Sequence, residues 1–398
     1  MREARPLSGR PSRSRAGHGE ARRSRRRPLV VTVVGARPQL VKMAPLSRAL
    51  RRRFRHVLVH TGQHYDPDMS DVFFRELGIP SPEHHLGIGS GSHGRMTGRM
   101  LEAIEGVLEE LRPDLVVVPG DTNSTLAGAL AGAKLAVPVA HVEAGLRSFD
   151  ERMPEELNRR LVDHASNLLF CPTSLAVENL RREGIVRGVH RVGDVMMDAV
   201  KQHLARAERK PLPEDLEPGG YYLATIHRQE NTDDLARLDA IIRALEDLPR
   251  PVVLPLHPRT RARLRLLSRN RARGSGALVT RSPLSYLESL RLIGAARCVL
   301  TDSGGMQKEA FMLGTPCVTL RENTEWLETL DAGANVLAGA DPRRIRNAVR
   351  RIGGGRVDAR AARRAYGDGR ASERIALRIE RFLRSRSQGE KTARIRRR

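Results

Sequence analysis

Aromatic residues and cysteines are both scarce in this 398-residue chain. Phe, Tyr and Trp make up 3% of the sequence, within 40% hydrophobic residues overall, a balance that suits a globular α/β protein rich in Val, Leu and Ala. The three cysteines, Cys171, Cys298 and Cys317, are odd in number, and each lies in or beside an apolar run. We therefore predict buried thiols in a reducing compartment rather than disulfides or ligands, and we expect a cytoplasmic protein.

No run of about 18 apolar residues occurs, so we expect no membrane-spanning helix. The paired arginines before PLVVTVVG imitate a signal peptide, but the apolar segment is short and leads directly into a Gly-Ala-Arg-Pro turn. We therefore predict that residues 29–35 form the first core strand. The Arg- and Ser-rich residues 1–28 are predicted to be a disordered basic tail.

The common cofactor motifs have little support in the sequence. The chain contains no GxxxxGK[ST], and its GxGxxG spacing at residues 89–94 does not follow an apolar strand, so nothing in it indicates a dinucleotide or an ATP phosphate loop. His60 and His64 have an i,i+4 spacing, but Gly62 lies between them in a loop-like stretch, and no Cys/His pair has zinc-finger spacing. We expect no cofactor and no metal site.

The formal net charge of +24 is concentrated at the two ends of the chain. Residues 1–28 hold 10 arginines against two glutamates, and residues 341–398 hold 20 basic against six acidic residues. Residues 29–340 are nearly neutral, with 40 basic and 38 acidic residues, whereas a nucleic-acid groove would carry the excess on the folded body. We expect no specific nucleic-acid partner. A polyanion-binding protein that uses the basic ends is an alternative of a different class.

Apolar strands and helices alternate along the chain, and the pattern restarts near residue 194. Alternation of this length predicts parallel sheets with helices on both faces. The strands are too many for one open sheet, so we predict an α/β fold of two doubly wound, Rossmann-like domains facing a cleft. The predicted divisions are a tail at 1–28, a first domain at 29–193, a second domain at 194–370, and a C-terminal helix and basic tail at 371–398.

The stretch TDSGGMQKEA, residues 301–310, ends a strand and begins a helix. Two adjacent glycines remove side chains where a ligand can approach the backbone, and the free N–H groups and dipole of a first helical turn favour an anion. Ser303, Gly304 and Gly305 are therefore predicted to bind a phosphate, with a plain tight turn as the alternative. Glu309 would be within reach of a ribose hydroxyl if a nucleotide diphosphate bound there, or it is a solvated helix residue.

Acidic residues collect at the carboxyl ends of the predicted strands, which is where doubly wound domains bind ligands. Asp121 and Glu143 end neighbouring strands, and Glu155 and Glu156 open a helix just beyond. Crowding and burial of carboxylates move their pKa values up and apart, which suits acid–base chemistry. Asp121 could instead only cap the helix that follows it.

Basic side chains also follow strands. Arg37 and Lys42 come after the first strand, where they can bind a phosphate oxygen or simply begin a surface helix. His227 and His257 end two strands of the second half of the chain. A histidine there can serve as an acid or as a donor to phosphate, or it can be a core residue.

Taken in order, these motifs resemble those of the non-hydrolysing UDP-N-acetylglucosamine 2-epimerase family. The resemblance spans about residues 29–385 and rests on GARPQLVKMAPL, TGQHYD, GDTNSTLAG, HVEAGLRS, MPEELNRRLVDH, TIHRQEN, LHPRT, TDSGGMQKEA and the TEW segment. It implies a glycosyltransferase-B-like fold with a UDP-sugar in the interdomain cleft. It also implies a homodimer and a place in cell-envelope polysaccharide synthesis.

The resemblance implies roles for individual residues. Asp121, Glu143, Glu155 and His227 would be the catalytic residues, with His227 beside the phosphate. The implied substrate-binding residues are Arg37, Lys42, Arg147, His257, Ser303, Gly304, Gly305 and Glu309. Gln63 and His64 match part of a segment at which some bacterial members bind a second UDP-GlcNAc as an activator, whereas Tyr65 and Asp66 do not match it.

The reaction that the resemblance implies is elimination followed by re-addition. A carboxylate removes the proton at sugar C2 while UDP leaves C1, and the 2-acetamidoglucal stays bound beside UDP. Reprotonation from the other face and return of UDP then give the C2 epimer. Such chemistry needs an anion clamp for the leaving group, acid–base groups around C2 and closure that excludes water.

Several positions differ from the common family motifs. Ala36 and Gln39 flank Arg-Pro where Thr and Glu are usual, and Trp326 stands where Arg is common. The TGQHYD and TEW variants are also similar to those of relatives that act on UDP-2,3-diacetamido-2,3-dideoxyglucuronic acid. That activity is therefore an alternative, as are a hydrolysing epimerase that releases UDP and a glycosyltransferase on the same fold.

Overall fold

The computed structural model describes residues 26–62, 76–89, 91–256, 258–268, 278–352 and 355–396. Within these residues, two sheets are formed entirely of parallel strands. The first has the strand order β3-β2-β1-β4-β5-β6-β7, and the second has β10-β9-β8-β11-β12-β13. Both orders reverse beside a central strand, as in doubly wound folds, which confirms the predicted fold class.

The first sheet and its helices form what we call the first lobe, residues 26–191 together with 371–396. Its strands are β1 (Leu29–Val34), β2 (Arg55–His60), β3 (His84–His85), β4 (Leu115–Pro119), β5 (Val139–Val142), β6 (Leu168–Cys171) and β7 (Val189–Arg191). Its helices are α1 (Arg37–Arg51), α2 (His93–Leu111), α3 (Asn123–Lys134), α4 (Pro154–Ala165), α5 (Ser174–Arg182) and, at the end of the chain, α15 (Ala371–Arg396).

Helix α6 (Val195–Glu208) connects the first lobe to the second lobe, residues 222–366. The strands of the second lobe are β8 (Tyr222–Thr225), β9 (Val252–Pro255), β10 (Leu278–Arg281), β11 (Cys298–Thr301), β12 (Cys317–Thr319) and β13 (Asn335–Leu337). Its helices are α7 (Gln229–Thr232), α8 (Leu235–Glu246), α9 (Pro258–Ser268), α10 (Tyr286–Ala295), α11 (Gly304–Met312), α12 (Leu327–Asp331), α13 (Pro342–Ile352) and α14 (Ala359–Tyr366).

Successive residues of β1 point into two different cores. Val30 and Val34 belong to a cluster that includes residues of α1, α6 and α15, whereas Val31 and Val33 belong to one formed with α2 and α3. All six residues of β1 are buried. Because both faces of the sheet are covered, ligands can reach polar groups only beyond the strand ends.

The chain crosses between the lobes twice, and the two crossings lie side by side. The first leads from β7 into α6, and the second leads from α14 into α15. The Asp194 amide of the first crossing donates to the Tyr366 carbonyl oxygen of the second at 2.8 Å. Helix α15 then packs on α1 and α6, and Arg53, which follows α1, binds Glu380 of α15 at 2.7 Å. The C-terminal helix therefore completes the core of the first lobe.

The structure differs from the sequence prediction in a few elements. The sequence predicts a helix from about Thr232 to Leu248, whereas in the structure α7 ends at Thr232 and α8 begins at Leu235, because the Asp234 carboxylate accepts from the amides of Ala236 and Arg237. Helices α6 and α14 and strands β7 and β13 are absent from the predicted pattern. The short helix expected near residues 69–77 lies mostly outside the described residues, and the predicted domain boundaries stay predictions.

The three cysteines are buried and unpaired, as predicted.

Candidate active site

The carboxyl ends of β4 and β5 bring two of the predicted carboxylates to one edge of the first sheet. Asp121 comes two residues after β4, and Glu143 comes directly after β5, which is the neighbour of β4 in the sheet. The Glu143 backbone has a φ of 71°, a left-handed conformation that is uncommon for a residue with a β-carbon. The chain therefore turns at the residue whose carboxylate it presents.

Asp121 is held by helix α4. Arg159 donates to Asp121 Oδ2 from Nε at 3.0 Å and from Nη2 at 2.6 Å, and Asn158 donates to the Asp121 carbonyl oxygen at 2.9 Å. The cap of α3 is Thr122, whose hydroxyl accepts from the Thr125 amide, so the alternative in which Asp121 only caps the helix is wrong. The Asp121 side chain keeps 32% of its surface exposed.

Glu143 is buried between two lysines. Lys42 of α1 binds its Oε2, and Lys308 of α11 in the second lobe lies 3.0 Å from its Oε1. Burial alone would raise the pKa of Glu143, but the ammonium groups of Lys308 and then Lys42 lower it to about 2. Glu143 is therefore a carboxylate at neutral pH.

The two glutamates that open α4 have different surroundings. The buried Glu156 carboxylate accepts from the Ser148 amide at 2.8 Å, from the Ser148 hydroxyl at 2.9 Å and from Arg159 at 2.7 Å. It therefore holds the loop that precedes the helix. Glu155 is 38% exposed and faces the second lobe, where Arg228 Nη1 lies 4.0 Å from its Oε1. Of this pair, Glu155 is the carboxylate that can meet a ligand.

The loop after β8 places His227 and Arg228 beside the predicted anion turn. Asp302, buried at the end of β11, accepts from both backbone amides at 3.0 Å, and its Oδ1 lies 3.2 Å from His227 Nδ1. Burial would lower the pKa of Arg228, but the carboxylates of Glu325 and Glu155 raise it. Arg228 thus lies between carboxylates of both lobes.

Ser303 and the two glycines that follow it form the first turn of α11, which Ser303 caps. A β-carbon on Gly304 would lie 2.4 Å from Glu325 Oε1 and 3.0 Å from Trp326 Nε1. A β-carbon on Gly305 would meet only Ser303 Oγ among the described residues, at 3.9 Å. Packing inside the protein therefore requires Gly304, whereas Gly305 borders open space that a ligand can fill.

Glu309 is buried in the second lobe, so the solvated-helix alternative is wrong. Its carboxyl group is close to the Tyr286 hydroxyl and to the ammonium groups of Lys308 and Lys42. Burial outweighs these partners and raises the pKa of Glu309 to about 7. Contact of this carboxyl with a ribose stays a prediction.

Arg147 lies in an internal network of the first lobe. Its guanidinium binds Asp163 at 2.8 Å and Glu183 at 2.6 Å, and its side chain is 1% exposed. The predicted contact of Arg147 with substrate stays a prediction, and it would require one of these ion pairs to open.

His141 of β5 links the same network to the turn that carries Asp121. Its Nδ1 lies 2.7 Å from Asp163 Oδ1, and its Nε2 lies 2.8 Å from the Gly120 carbonyl oxygen. Burial would raise the pKa of Asp163, but His141 and Arg147 lower it, so Asp163 is a carboxylate. Both partners of the His141 ring are therefore hydrogen-bond acceptors. His141 thereby fixes the carbonyl that precedes Asp121.

Some predicted site residues lie outside what the structure describes. These are Gln63, His64 and His257, and the side chain of Arg37, whose backbone begins α1. Their predicted roles stay predictions. In the described part of the chain, no group of three or more His, Cys, Asp or Glu side chains could hold a metal ion. Within the same part, no helix is long and apolar enough to cross a membrane.

The sequence prediction missed several residues of this cluster, namely His141, Asp163, Asp194, Asp302, Lys308 and Glu325. Four of them lie inside the motifs HVEAGLRS, MPEELNRRLVDH and TDSGGMQKEA, so the motifs pointed to them. Their partners, however, come from other elements and cannot be read from the spacing.

The chain also matches a known protein family. A family model described as UDP-N-acetylglucosamine 2-epimerase matches residues 48–380 of the chain. The chain belongs to the UDP-N-acetylglucosamine 2-epimerase family. This confirms the resemblance drawn from the motifs.

Two relatives of this epimerase-family chain differ in the sugar they are named for. The chain is 52% identical over 323 residues to the UDP-N-acetylglucosamine 2-epimerase homolog of Methanococcus maripaludis, covering 79% of this chain and 90% of the relative. It is 48% identical over 356 residues to the UDP-2,3-diacetamido-2,3-dideoxy-D-glucuronate 2-epimerase of Pseudomonas aeruginosa, covering 87% and 98%.

A solved structure of a UDP-GlcNAc 2-epimerase matches the whole architecture. The crystal structure of the Methanocaldococcus jannaschii enzyme in complex with UDP-GlcNAc and UDP has a TM-score of 0.80 and 41% sequence identity. The match covers 89% of this chain and 99% of that one. The predicted two-domain, glycosyltransferase-B-like fold is confirmed.

Proposed function

We propose that this protein interconverts UDP-GlcNAc and UDP-ManNAc by eliminating UDP and adding it back to a bound 2-acetamidoglucal. The observation that carries the proposal is the meeting of Asp121 and Glu155 of the first lobe with Arg228 and the 303–305 turn of the second. The carboxylates supply acid–base groups for sugar C2, and the arginine and helix N-terminus supply a clamp for the departing UDP.

In the proposed complex the diphosphate binds the free N–H groups at the start of α11, beside His227. Glu309 is assigned to the ribose, and Lys42 lies with Glu143 close to the sugar. The further proposed substrate contacts are Arg37, Arg147 and His257. No metal or cofactor is needed for these steps, because the carboxylates move the proton and the anion clamp stabilises UDP as it leaves.

The test is incubation of the purified protein with UDP-GlcNAc in D₂O, followed by proton NMR. Appearance of UDP-ManNAc with deuterium at C2 supports the proposal, because a solvent deuteron can enter only where the C2 proton was removed. Asp121→Asn and Glu155→Gln should each suppress this exchange. If UDP-GlcNAc gave no product and no exchange at C2, the proposed substrate would be overturned.

A second candidate substrate is UDP-2,3-diacetamido-2,3-dideoxyglucuronic acid, favoured by the identity to the Pseudomonas relative. The same NMR experiment with this nucleotide sugar separates the two, since the reaction at C2 is the same and only the groups at C3 and C6 differ. Accumulation of free UDP with each turnover would instead indicate a hydrolysing epimerase.

An exposed apolar surface beside the site supports a homodimer. Leu157 and Leu161, one turn apart on α4, are 57% and 43% exposed, and Phe149 in the preceding loop is 68% exposed. A monomer gains nothing from exposing such a group of side chains, whereas a second copy could cover it. Light scattering of the wild type and of Leu157→Asp tests this.

We further propose that the protein is a cytoplasmic enzyme and that it supplies a nucleotide sugar for cell-envelope polysaccharide synthesis.

A further inference from the structure

Lys308 joins the two lobes at the candidate site. It lies on α11, whose first turn is the 303–305 anion turn, but its amine reaches across to the first lobe. Its Nζ lies 3.0 Å from Glu143 Oε1 and 2.7 Å from Asp194 Oδ2, and its side chain is 1% exposed. Burial alone would lower the pKa of Lys308, but Asp194 and then Glu143 raise it, so the amine is an ammonium ion.

Both oxygens of Glu143 are occupied by ammonium groups. Lys308 binds Oε1, and Lys42 binds Oε2. Gly120 lies beside the Glu143–Lys42 pair, because a β-carbon there would lie 3.7 Å from Glu143 Oε2 and 3.9 Å from Lys42 Nζ. Protonation of a carboxylate in this setting would remove the negative charge that both ammonium groups bind.

Trp326 covers the other side of Lys308. The Lys308 Nζ lies 3.8 Å from the centroid of the Trp326 ring, and the indole is buried. The face of an aromatic ring stabilises a desolvated cation, whereas an arginine at this position would place a second positive charge against the lysine. Trp326 therefore favours the buried position of Lys308.

We propose that Glu143 stays ionised throughout turnover and does not carry the C2 proton, and that Lys308, supported by Trp326, is the positioning residue that keeps it so. This inference rests on the proposed epimerase function. Removal of the C2 proton and its delivery from the opposite face are then the work of Asp121 and Glu155, which both remain partly exposed.

The proposed assignment balances protons and electrons. One carboxylate takes the C2 proton, the C–H electron pair forms the C1–C2 double bond, and the C1–O bond breaks as UDP leaves. On return, UDP oxygen attacks C1 while the other carboxylate gives a proton to C2. The two carboxyl groups exchange protons with solvent between turnovers. The fixed negative charge of Glu143 stabilises the positive charge that develops at C1.

The test must distinguish the titration of Glu143 from the titration of the other charged groups that face it. These are Lys42, Lys308, Asp194 and Glu309, the last of which is close to both lysines. Because burial raises the pKa of Glu309 to about 7, Glu309 changes charge near neutrality. Each titration is therefore repeated in the Glu309→Gln background.

The first experiment is a carbon-13 NMR titration of the glutamate carboxyl groups, with the Glu143 signal assigned by its loss in Glu143→Gln. This measurement needs only folded protein, so its result does not depend on the proposed reaction. In the wild type we expect no protonation of Glu143 above about pH 4, below the ordinary range for glutamate. A midpoint at about pH 5 or higher would overturn the proposal.

The matched variants act on the lysine and on its aromatic cover. In Lys308→Met the Glu143 midpoint should rise, because one of its two cations is gone. Trp326→Leu should raise the midpoint partly, and Trp326→Phe should restore it, since a phenyl face also stabilises the ammonium ion. The Trp326 pair decides the matter if Lys308→Met does not fold. Equal midpoints in the wild type and in Trp326→Leu would remove Trp326 from the proposal.

Kinetics give the second test. Lys308→Met should lower kcat about 100-fold with a much smaller change in KM. The acid limb of the pH profile of kcat should also move to higher pH in this variant. The exposed Arg343→Gln on α13 serves as the control variant. Deuterium exchange at C2 should persist at a low rate in Glu143→Gln and vanish in Asp121→Asn or Glu155→Gln. Loss of exchange in Glu143→Gln alone would show that Glu143 carries the proton.

Discussion

Arg159 holds Asp121 through two nitrogens, at 3.0 Å from Nε and 2.6 Å from Nη2, while its remaining nitrogen binds Glu156 at 2.7 Å. The guanidinium is buried, so it can neither rotate freely nor be replaced by water. Because both nitrogens donate to the same oxygen, Oδ2, they fix the direction of the Asp121 carboxylate. The acid–base geometry of the site therefore depends on a residue of α4 that lies behind it.

Arg159→Lys should lower kcat by about 10- to 100-fold, because an ammonium group keeps the charge but not the two-point contact with Asp121. The affinity for UDP should be nearly unchanged, since Asp121 is not assigned to the nucleotide. Steady-state kinetics and UDP calorimetry measure the two quantities. Arg160→Lys on the exposed side of the same helix is the control, and equal activity of both variants would contradict the expectation.

Gly304→Ala and Gly305→Ala should separate packing from ligand binding. A methyl group on residue 304 would lie 2.4 Å from Glu325 Oε1, so we expect a loss of about 1–3 kcal/mol in the free energy of unfolding. A methyl group on residue 305 meets open space, so stability should hold while UDP binding weakens about tenfold. Urea unfolding and calorimetry test the pair. Normal UDP affinity in Gly305→Ala would show that the phosphate does not bind at this turn.

Glu309→Gln should make stability less dependent on pH between about 4.5 and 7. The pKa of Glu309 rises from its ordinary 4.5 to about 7 on folding, so its protonated form stabilises the fold below pH 4.5. That contribution is lost as the pH rises through 7 and amounts to roughly 3 kcal/mol. Urea unfolding at pH 5 and pH 8 measures it. The wild type should lose more stability than the variant, and parallel curves would contradict the shift.

Asp163→Ala should be strongly destabilising, because it leaves Arg147 and His141 buried without their shared carboxylate. Breaking a buried charge pair of this kind costs about 3–5 kcal/mol. Glu183→Ala is the milder comparison, since Glu183 is 26% exposed and binds the same arginine. Thermal and urea unfolding rank the two variants. A smaller loss in Asp163→Ala than in Glu183→Ala would contradict the network described here.

Much of the fold can be predicted from the sequence, because its parallel strands are apolar on both faces and end in polar residues. Strand β1 and the residue Glu143 after β5 follow from this rule. Pro154 at the start of α4 follows from the preference of proline for the first turn of a helix. Helix α6 does not follow from it. Its buried residues contact α1, α10, α11 and α15 on several sides, so no single apolar face stands out in the sequence.

The site is predictable to the extent that it depends on strand ends. Asp121, Glu143 and the 303–305 turn come from positions along one chain segment each. The pairing of Lys308 with Glu143, by contrast, depends on the distance between the two lobes, which no local spacing contains. For the same reason local spacing does not distinguish Glu155, which faces the cleft, from Glu156, which holds a loop, and only the family resemblance pointed to Glu155.

The return of helix α15 to the first lobe has a consequence for synthesis of the protein. A nascent chain emerges from the ribosome with its N-terminus first, and domains generally fold in that order. Here the surfaces of α1 and α6 that α15 covers stay exposed until α15 itself has been translated. The second lobe can therefore complete its core before the first, although it is made later. If the ribosome stalled within α15, the first lobe, which carries Asp121 and Glu143, would lack part of its core.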